Sequence, residues 1–253
     1  MQLTPLTADA ARAIVDQAQA TGIRLRLLGG MAVATHSPSA QTVGLTRSYG
    51  DADFITDETR GSTLDNLFET FGFRGDRRFN SMNGSRRRLY VNDAAGQIDV
   101  FVRAFEMCHK IPLEGRLEVD SPTIPLAELL LTKAQIVRLN SKDVLDIAAL
   151  LLDHELGAGD NDRLNAERIA ELVGADWGLH HTVERTLDAV DQHTREQLPA
   201  LHRPLAERTK ELRDLLSTAP KSRRWRMRAR VGEKLRWYEL PEDPQREARR
   251  RVD

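Results

Sequence analysis

The sequence predicts an α/β (α+β) protein in which a strand-containing core, residues 1–120, precedes a mainly helical C-terminal domain, residues 121–253. Up to about Asp120, short β-rich runs alternate with glycine turns. Beyond Pro125, alanine- and leucine-rich segments repeat their apolar residues at helical spacing. The 253 residues suffice for one large domain or two ordinary ones with a sizeable buried core.

The first half carries both strand and helix signals. Thr7 can cap a first helix that Gly22 ends, and the run Ile23–Leu28 alternates apolar and cationic residues as a strand does. The turn Asn92–Gly96 predicts an antiparallel hairpin between the strands that flank it. The predicted helices are 6–20, 31–36 and 62–71, and the predicted strands are 23–28, 51–55, 88–92 and 97–102.

The second half is predicted to be almost wholly helical after Pro122 and Pro125. We expect the charged segment after Pro241 to be frayed. The predicted helices are 126–139, 142–155, 165–173, 177–197, 200–216 and 222–238.

The composition is typical of a globular protein in a reducing compartment. A formal net charge of −1 gives no general bias toward nucleic acid or membranes. Because no apolar run could span a bilayer and the N-terminus lacks an apolar signal core, we expect a cytoplasmic protein without a membrane partner. The single cysteine, Cys108, excludes an internal disulfide and a multi-cysteine zinc site.

Three aspartates are the strongest chemical signal. Asp51 and Asp53 are two residues apart on a predicted strand, so both carboxylates point to one face. Asp99 lies within the apolar strand Ile98–Val100, and a buried acid needs a partner. If the two strands are neighbours, the three acids can converge to hold a divalent cation. The alternative for Asp51 and Asp53 alone is a solvated turn after Gly50.

Gly29 and Gly30 stand between a predicted strand and a short helix. Without side chains, the backbone can approach a phosphate, and the N–H groups at the helix start point toward it. A lone glycine pair is usually only a turn. Its significance comes from the order strand, glycine pair, helix, Asp-x-Asp and strand aspartate.

The segments 28–36, 50–54 and 97–101, in that order, resemble the three core motifs of the nucleotidyltransferase (polymerase-β-like) superfamily. The later segments 129–138 and 142–147 resemble the fourth motif of its AbiEii-like branch, whose members are type IV toxin–antitoxin nucleotidyltransferases. The resemblance covers residues 22–152. It implies a mixed sheet with helices as the catalytic core, Mg²⁺ (with Mn²⁺ as an alternative), a nucleoside triphosphate such as ATP as substrate, tRNA or another RNA as acceptor, and a cognate antitoxin protein as partner.

The resemblance also implies roles for particular residues. Gly29 and Gly30 match the phosphate loop, and Lys133 matches the lysine that meets the triphosphate. The remaining matches are acidic: Asp51 and Asp53 form the metal pair, Asp99 is the third carboxylate, and Asp143 or Asp146 is the later acidic position. The sequence departs from the family at Met31, where a serine or threonine is common.

The cations and the later acids also have ordinary explanations. Arg47 is either a phosphate contact or a solvated loop arginine, and Lys133 either serves the triphosphate or extends from the polar face of its helix. Ser141 could cap the following helix, so that Asp143 in the first turn would only favour the helix dipole. Asp146 lacks this explanation and could orient Lys133 or act as a base.

Two further groups remain outside the motifs. The basic stretch 221–231, with Trp225 and later Trp237, suits an RNA backbone and a stacked base, or else a charged helix that covers the C-terminal part. The histidines, including His109 beside Cys108, lack the spacing of a metal site or a nucleophile pair.

The sequence therefore predicts a Mg²⁺-dependent nucleotidyltransferase, a cytoplasmic toxin-like enzyme that moves a nucleoside monophosphate onto an acceptor hydroxyl. Two alternatives stay open. One is nucleotidylation of a small molecule, as in aminoglycoside-modifying members of the superfamily. The other is a catalytically silent binding module that retains the fold.

Overall fold

The protein is described by a computed structural model that covers residues 6–42 and 44–240. The strands are β1 (Leu25–Leu28), β2 (Asp51–Thr56), β3 (Arg74–Gly75), β4 (Arg87–Asn92), β5 (Gly96–Val102), β6 (Ala104–Glu106), β7 (Lys110–Pro112), β8 (Leu156–Gly157) and β9 (Leu164–Asn165). The helices are α1 (Ala8–Ala20), α2 (Gly29–His36), α3 (Gly61–Glu69), α4 (Arg77–Asn83), α5 (Leu126–Ala134), α6 (Ser141–Asp153), α7 (Ala166–Ala175), α8 (Trp177–Gln197), α9 (Pro199–Thr218) and α10 (Arg223–Val231).

A five-stranded mixed sheet forms the centre of the first half, in the order β1-β2-β5-β4-β3. Strands β2 and β5 are parallel, whereas the other neighbours in this sheet are antiparallel. The predicted mixed α/β class, the hairpin of β4 and β5 and the helical second half are therefore confirmed. The charged segment predicted to fray after Pro241 lies outside the described residues.

Several elements differ from the predictions. The helix predicted over 126–139 ends at Ala134, and residues 136 and 137, both β-branched, leave the helical path to line a cleft. The helix predicted over 222–238 ends at Val231, where Gly232 adopts a positive φ of 56°. The short hairpin of β6 and β7, the helix α4 and the pair β8 and β9 were not predicted, because segments of two to seven residues carry little periodicity.

Helix α5 joins the two halves. Its residues are almost all buried, and it packs against α2, α6, α7 and α8. Its one fully buried acid, Glu128, accepts hydrogen bonds from Arg116 and Arg168, each through an Nε–Oε1 contact of 2.6 or 2.8 Å. This pairing satisfies the buried charge and fixes α5 against α7.

No helix within residues 6–42 and 44–240 combines the length and the apolar character that crossing a membrane requires.

Candidate active site

The glycine pair forms a tight turn against the aspartate strand. Gly29 follows β1 directly, begins α2 and has a φ of +72°, a conformation that side chains rarely adopt. A Cβ placed on Gly29 would overlap Asp53 Oδ2 and would lie 3.1 Å from its Cγ. The absence of a side chain at Gly29 therefore lets the start of α2 touch the Asp53 carboxylate.

The predicted strands of the acids are neighbours. In the parallel pairing of β2 with β5, Asp53 is the partner of Asp99 and Asp51 is the partner of Gln97, so these side chains lie on one face. Asp51 is exposed at the start of β2, Asp53 is partly buried, and Asp99 is only 4% exposed.

The acids influence one another electrostatically. Burial, followed by the negative charges of Asp99 and Asp51, raises the pKa of Asp53 to about 7. Lys133 and Arg87 oppose this rise. Negative charge at Asp53 is therefore not fully offset by the cations of the chain.

Arg87 is a site residue that the sequence analysis missed. Its Nε donates to Asp99 Oδ1 at 2.7 Å, and its guanidinium lies over the ring of Phe101 at 5.3 Å. Gln97 Nε2 donates to Asp99 Oδ2 at 2.9 Å. A signal was present in the sequence: the hairpin register that pairs Asn92 with Gly96 places Arg87 diagonally across from Asp99 on the same face.

A divalent cation fits one part of this acidic group. Asp51 and Asp53 offer two carboxylates on one face beside the Gly29 turn, and Mg²⁺ commonly takes one or two carboxylates together with waters and substrate phosphates. A cation would also offset the charge that raises the pKa of Asp53. A ready-made metal site of three acidic, histidine or cysteine side chains is not found in the described part of the chain.

Lys133 and Arg47 form the cationic side of the site and share one acid. Arg47 binds Asp146 in a bidentate manner, with Nε–Oδ1 and Nη2–Oδ2 distances of 2.7 Å. Lys133 Nζ lies 2.8 Å from Asp146 Oδ2 and 3.3 Å from Asp143 Oδ1. Asp146 is only 2% exposed, so its contacts favour the role of orienting two cations over that of a base.

These contacts keep both cations protonated. Burial alone would lower the pKa of Lys133, but the charges of Asp146 and Asp143 outweigh it and raise the pKa. Burial likewise opposes the charge of Arg47, and the hydrogen bonds to Asp146 reverse that effect. Arg47 is therefore not a solvated loop arginine, and Lys133 does not extend to solvent, since its side chain is only 13% exposed.

Gly30 makes room for Arg47. A Cβ on Gly30 would overlap Arg47 Nη2 and would lie 2.8 Å from its Cζ. The Cζ atom of Arg47 also lies over the ring of Tyr49, 4.2 Å from its centroid. The two glycines thus contact different side chains: Gly29 contacts Asp53, and Gly30 contacts Arg47.

A cleft of about 500 Å³ is lined by five of these residues, namely Gly29, Asp53, Arg87, Lys133 and Asp143. Its lining does not include five others, namely Gly30, Arg47, Asp51, Asp99 and Asp146. The rest of the lining is mostly apolar and consists of Leu28, Phe101, Phe105, Met107, Ile136, Val137, Tyr238 and Leu240, with Cys108, Thr132, Arg138 and Asn140. A cleft lined by both charged and apolar residues can bind the phosphates and the base of a nucleotide.

The remaining candidates lie elsewhere. Met31 is buried in the core at 2% exposure, so its side chain does not stand at the glycine turn as a phosphate contact would. Asn140, not Ser141, caps α6 by accepting from the backbone N–H of Asp143 at 3.0 Å. Asp143 nevertheless reaches the cleft and Lys133.

His109 and Cys108 do not form a reactive pair. His109 Nε2 lies 2.8 Å from Thr182 Oγ1, and burial lowers the pKa of His109 to about 4. Burial raises the pKa of the Cys108 thiol, which opposes formation of the nucleophilic thiolate. Both residues have packing roles.

The basic stretch is only partly available to a partner. Trp225 packs edge-on against His180 at 5.2 Å, and Trp237 Nε1 donates to Thr182 Oγ1 at 3.0 Å, so both rings are used within the protein. The cations differ: within the described ranges, four exposed arginines of α10 have no ion-pair partner, namely Arg223, Arg224, Arg226 and Arg230.

Comparisons with known proteins find similar solved structures at low sequence identity. No family model matches the chain, and no match to a curated protein was found. The chain is similar to the antibiotic-resistance factor ANT(2'')-Ia, with 13% identity and a TM-score of 0.41 over 75% of this chain and 97% of that one. It is also similar to an antigenic nucleotidyltransferase-like protein from Paracoccidioides brasiliensis, with 13% identity and a TM-score of 0.40 over 87% of this chain and 97% of that one.

Proposed function

We propose that the protein is a Mg²⁺-dependent nucleotidyltransferase that transfers a nucleoside monophosphate from a nucleoside triphosphate to an acceptor hydroxyl. One observation carries the proposal: the Gly29 turn, the Asp53 carboxylate and the Lys133 ammonium group line the same cleft. Together they offer backbone donors, a metal ligand and a fixed cation, which are the elements that phosphoryl transfer requires.

In the proposed reaction, the acceptor oxygen forms a bond to the α-phosphorus while the bond from that phosphorus to the bridging oxygen breaks. Pyrophosphate leaves with the bonding electrons, and the hydroxyl proton passes to a carboxylate or to water. The Gly29–Gly30 turn and Lys133 bind the triphosphate, and Asp146 orients Lys133 and Arg47 toward it. A Mg²⁺ ion held by Asp51 and Asp53 would neutralise charge on the phosphates.

RNA is the acceptor that we propose, with tRNA as the first candidate and a toxin-like role checked by a cognate antitoxin. The exposed arginines of α10 support an acceptor with a phosphate backbone, because exposed guanidinium groups gain affinity by releasing counterions from it. The same basic helix disfavours a polycationic aminoglycoside as acceptor.

The test is transfer of label from each of the four nucleoside triphosphates, carrying phosphorus-32 in the α-position, to total RNA with and without Mg²⁺. We expect Mg²⁺-dependent label on RNA, lost in Asp53→Asn. Asp57→Asn is the matched control, since Asp57 lies beyond the other end of β2 and pairs with Arg24 instead. Label on small hydroxyl compounds alone would replace the RNA acceptor, and no label on any acceptor would favour the silent binding module.

A further inference from the structure

The three aspartates of the cluster differ in what surrounds them. Each oxygen of Asp99 already accepts a hydrogen bond, one from Arg87 at 2.7 Å and one from Gln97 at 2.9 Å. Within the described ranges, neither Asp51 nor Asp53 has a hydrogen-bond or ion-pair partner for its side chain. Asp99, which was predicted as the third metal ligand, is thus already hydrogen-bonded through both oxygens, whereas the carboxylates of Asp51 and Asp53 are available to a metal ion.

The ion pair of Arg87 and Asp99 is largely buried and belongs to the central sheet. Their side chains are 11% and 5% exposed, and both residues stand on the paired strands of the β4–β5 hairpin. The guanidinium of Arg87 lies over Phe101 at 5.3 Å and over Phe79 at 5.6 Å, which fixes its plane. Separating a buried pair leaves an uncompensated charge, so Asp99 is not readily released to a metal ion.

The acids of the site outnumber its cations. The acids are Asp51, Asp53, Asp99, Asp143 and Asp146, and the cations are Arg47, Arg87, Lys133 and Arg138. A single divalent ion is enough to offset this excess of negative charge.

We propose that Arg87 takes the place of a second metal ion in this site. One divalent cation binds to Asp51 and Asp53, and the guanidinium of Arg87 supplies the positive charge at Asp99. Arg87 is a positioning residue, because it acts through the carboxylate that it holds. The inference rests on the proposed function, since it concerns the metal content of the same centre.

The experiment counts bound Mn²⁺ by electron paramagnetic resonance, with the α,β-methylene analogue of each of the four nucleoside triphosphates present. We expect one Mn²⁺ per wild-type chain. Asp53→Asn should weaken it by more than about tenfold, whereas Asp99→Asn should leave both the number and the affinity nearly unchanged. Two ions bound by the wild-type protein would overturn the inference, as would an Asp99→Asn effect equal to that of Asp53→Asn.

Variants of Arg87 complete the test. Arg87→Gln should admit a second Mn²⁺ by freeing Asp99, and the double variant Arg87→Gln with Asp99→Asn should return to one. Arg87→Lys keeps the charge and should also bind one. An Arg87→Gln variant that is folded by circular dichroism and still binds one ion contradicts the inference. If this variant does not fold, the wild-type and Asp99→Asn counts decide alone.

Failure of this inference is distinguishable from failure of the proposed function. Two bound ions together with Asp53-dependent nucleotide transfer would overturn only the role of Arg87. No bound Mn²⁺ with any analogue would overturn the role of Arg87 and the proposed function together.

Discussion

Ionisation of Asp53 is unfavourable in the folded protein. Burial and the charges of Asp99 and Asp51 raise its pKa to about 7, whereas in the unfolded chain it has the ordinary value of 3.8. Between about pH 4 and pH 7 the native state therefore binds more protons than the unfolded state, and stability falls as the pH rises through this window.

The substitution Asp53→Asn should therefore stabilise the protein in the absence of metal. We expect the free energy of unfolding to rise by on the order of 1 to 3 kcal/mol at pH 8, and to change little at pH 4, where the acid is protonated in the native state. Urea unfolding in EDTA at the two pH values measures this. Asp51→Asn is the control, because Asp51 is exposed and should gain less. A loss of stability at pH 8 would show that the negative charge of Asp53 does not destabilise the native state.

Replacing Asp146 should have the opposite effect on stability. The carboxylate of Asp146 pairs with two cations, whereas that of Asp53 is repelled by neighbouring acids. Asp146→Asn leaves Arg47 and Lys133 without the buried carboxylate that both contact. We expect a loss of about 3 kcal/mol in the free energy of unfolding. Asp143→Asn should cost less, since the contact of Asp143 with Lys133 is longer, at 3.3 Å. Equal losses in the two variants, measured by urea unfolding at pH 7, would argue against Asp146 as the shared anchor.

At the scale of elements, the junction of β1 and α2 depends on a glycine for two separate reasons. Gly29 has a positive φ, and its missing Cβ makes space for Asp53. Gly22 offers a matched comparison: its φ of +75° is nearly the same as the +72° of Gly29, and no atom lies within 4 Å of a Cβ placed there.

The pair Gly22→Ala and Gly29→Ala should therefore separate backbone strain from close approach. Gly22→Ala should cost about 1 kcal/mol of stability through strain alone. Gly29→Ala should cost clearly more, because it also displaces the Asp53 carboxylate, and it should abolish nucleotide transfer that Gly22→Ala retains. Thermal unfolding and transfer assays on both variants test this. Equal losses of stability and activity in the two variants would show that the Asp53 carboxylate does not exclude a side chain at Gly29.

The elements that the sequence predicts well are those that carry a repeating pattern. The helix over 177–197 and the strands of Asp53 and Asp99 follow from periodicity alone, and the turn Asn92–Gly96 determines the hairpin. The pairing of Arg47 with Asp146 could not be predicted in this way. The two residues are 99 positions apart, and only the packing of α6 beside the loop after α2 brings them together.

At the scale of the whole molecule, the end of the described chain returns to the cleft. Tyr238 and Leu240 line the cleft, and the backbone N–H of Glu239 donates to the carbonyl of Cys108 at 2.9 Å. Trp237 anchors this segment on α8 through Thr182. The helix predicted over 222–238 does not continue here, since α10 ends at Val231.

Removal of the Trp237 side chain should expose the lining of the cleft to solvent. Cys108 lines the cleft and is the single cysteine of the chain, so its reactivity measures this exposure. Cys108 is 4% exposed, and burial raises the pKa of its thiol, so it should react slowly with Ellman's reagent. Trp237→Ala should accelerate the reaction by about tenfold through local opening. Leu235→Ala is the control, since Leu235 is 65% exposed. An unchanged rate in Trp237→Ala would show that the segment does not shield the cleft.

We propose that Asp53, the Gly29–Gly30 turn and Lys133 together bind a nucleoside triphosphate and a divalent ion. The most direct measurement is calorimetric titration of α,β-methylene nucleoside triphosphates into the protein, in Mg²⁺ and in EDTA. We predict binding in Mg²⁺ that EDTA or Asp53→Asn weakens by at least about tenfold, or 1.4 kcal/mol, and that Asp57→Asn leaves unchanged. Equal affinity in Mg²⁺ and EDTA, or in wild type and Asp53→Asn, would show that the nucleotide binds without a divalent ion at Asp53.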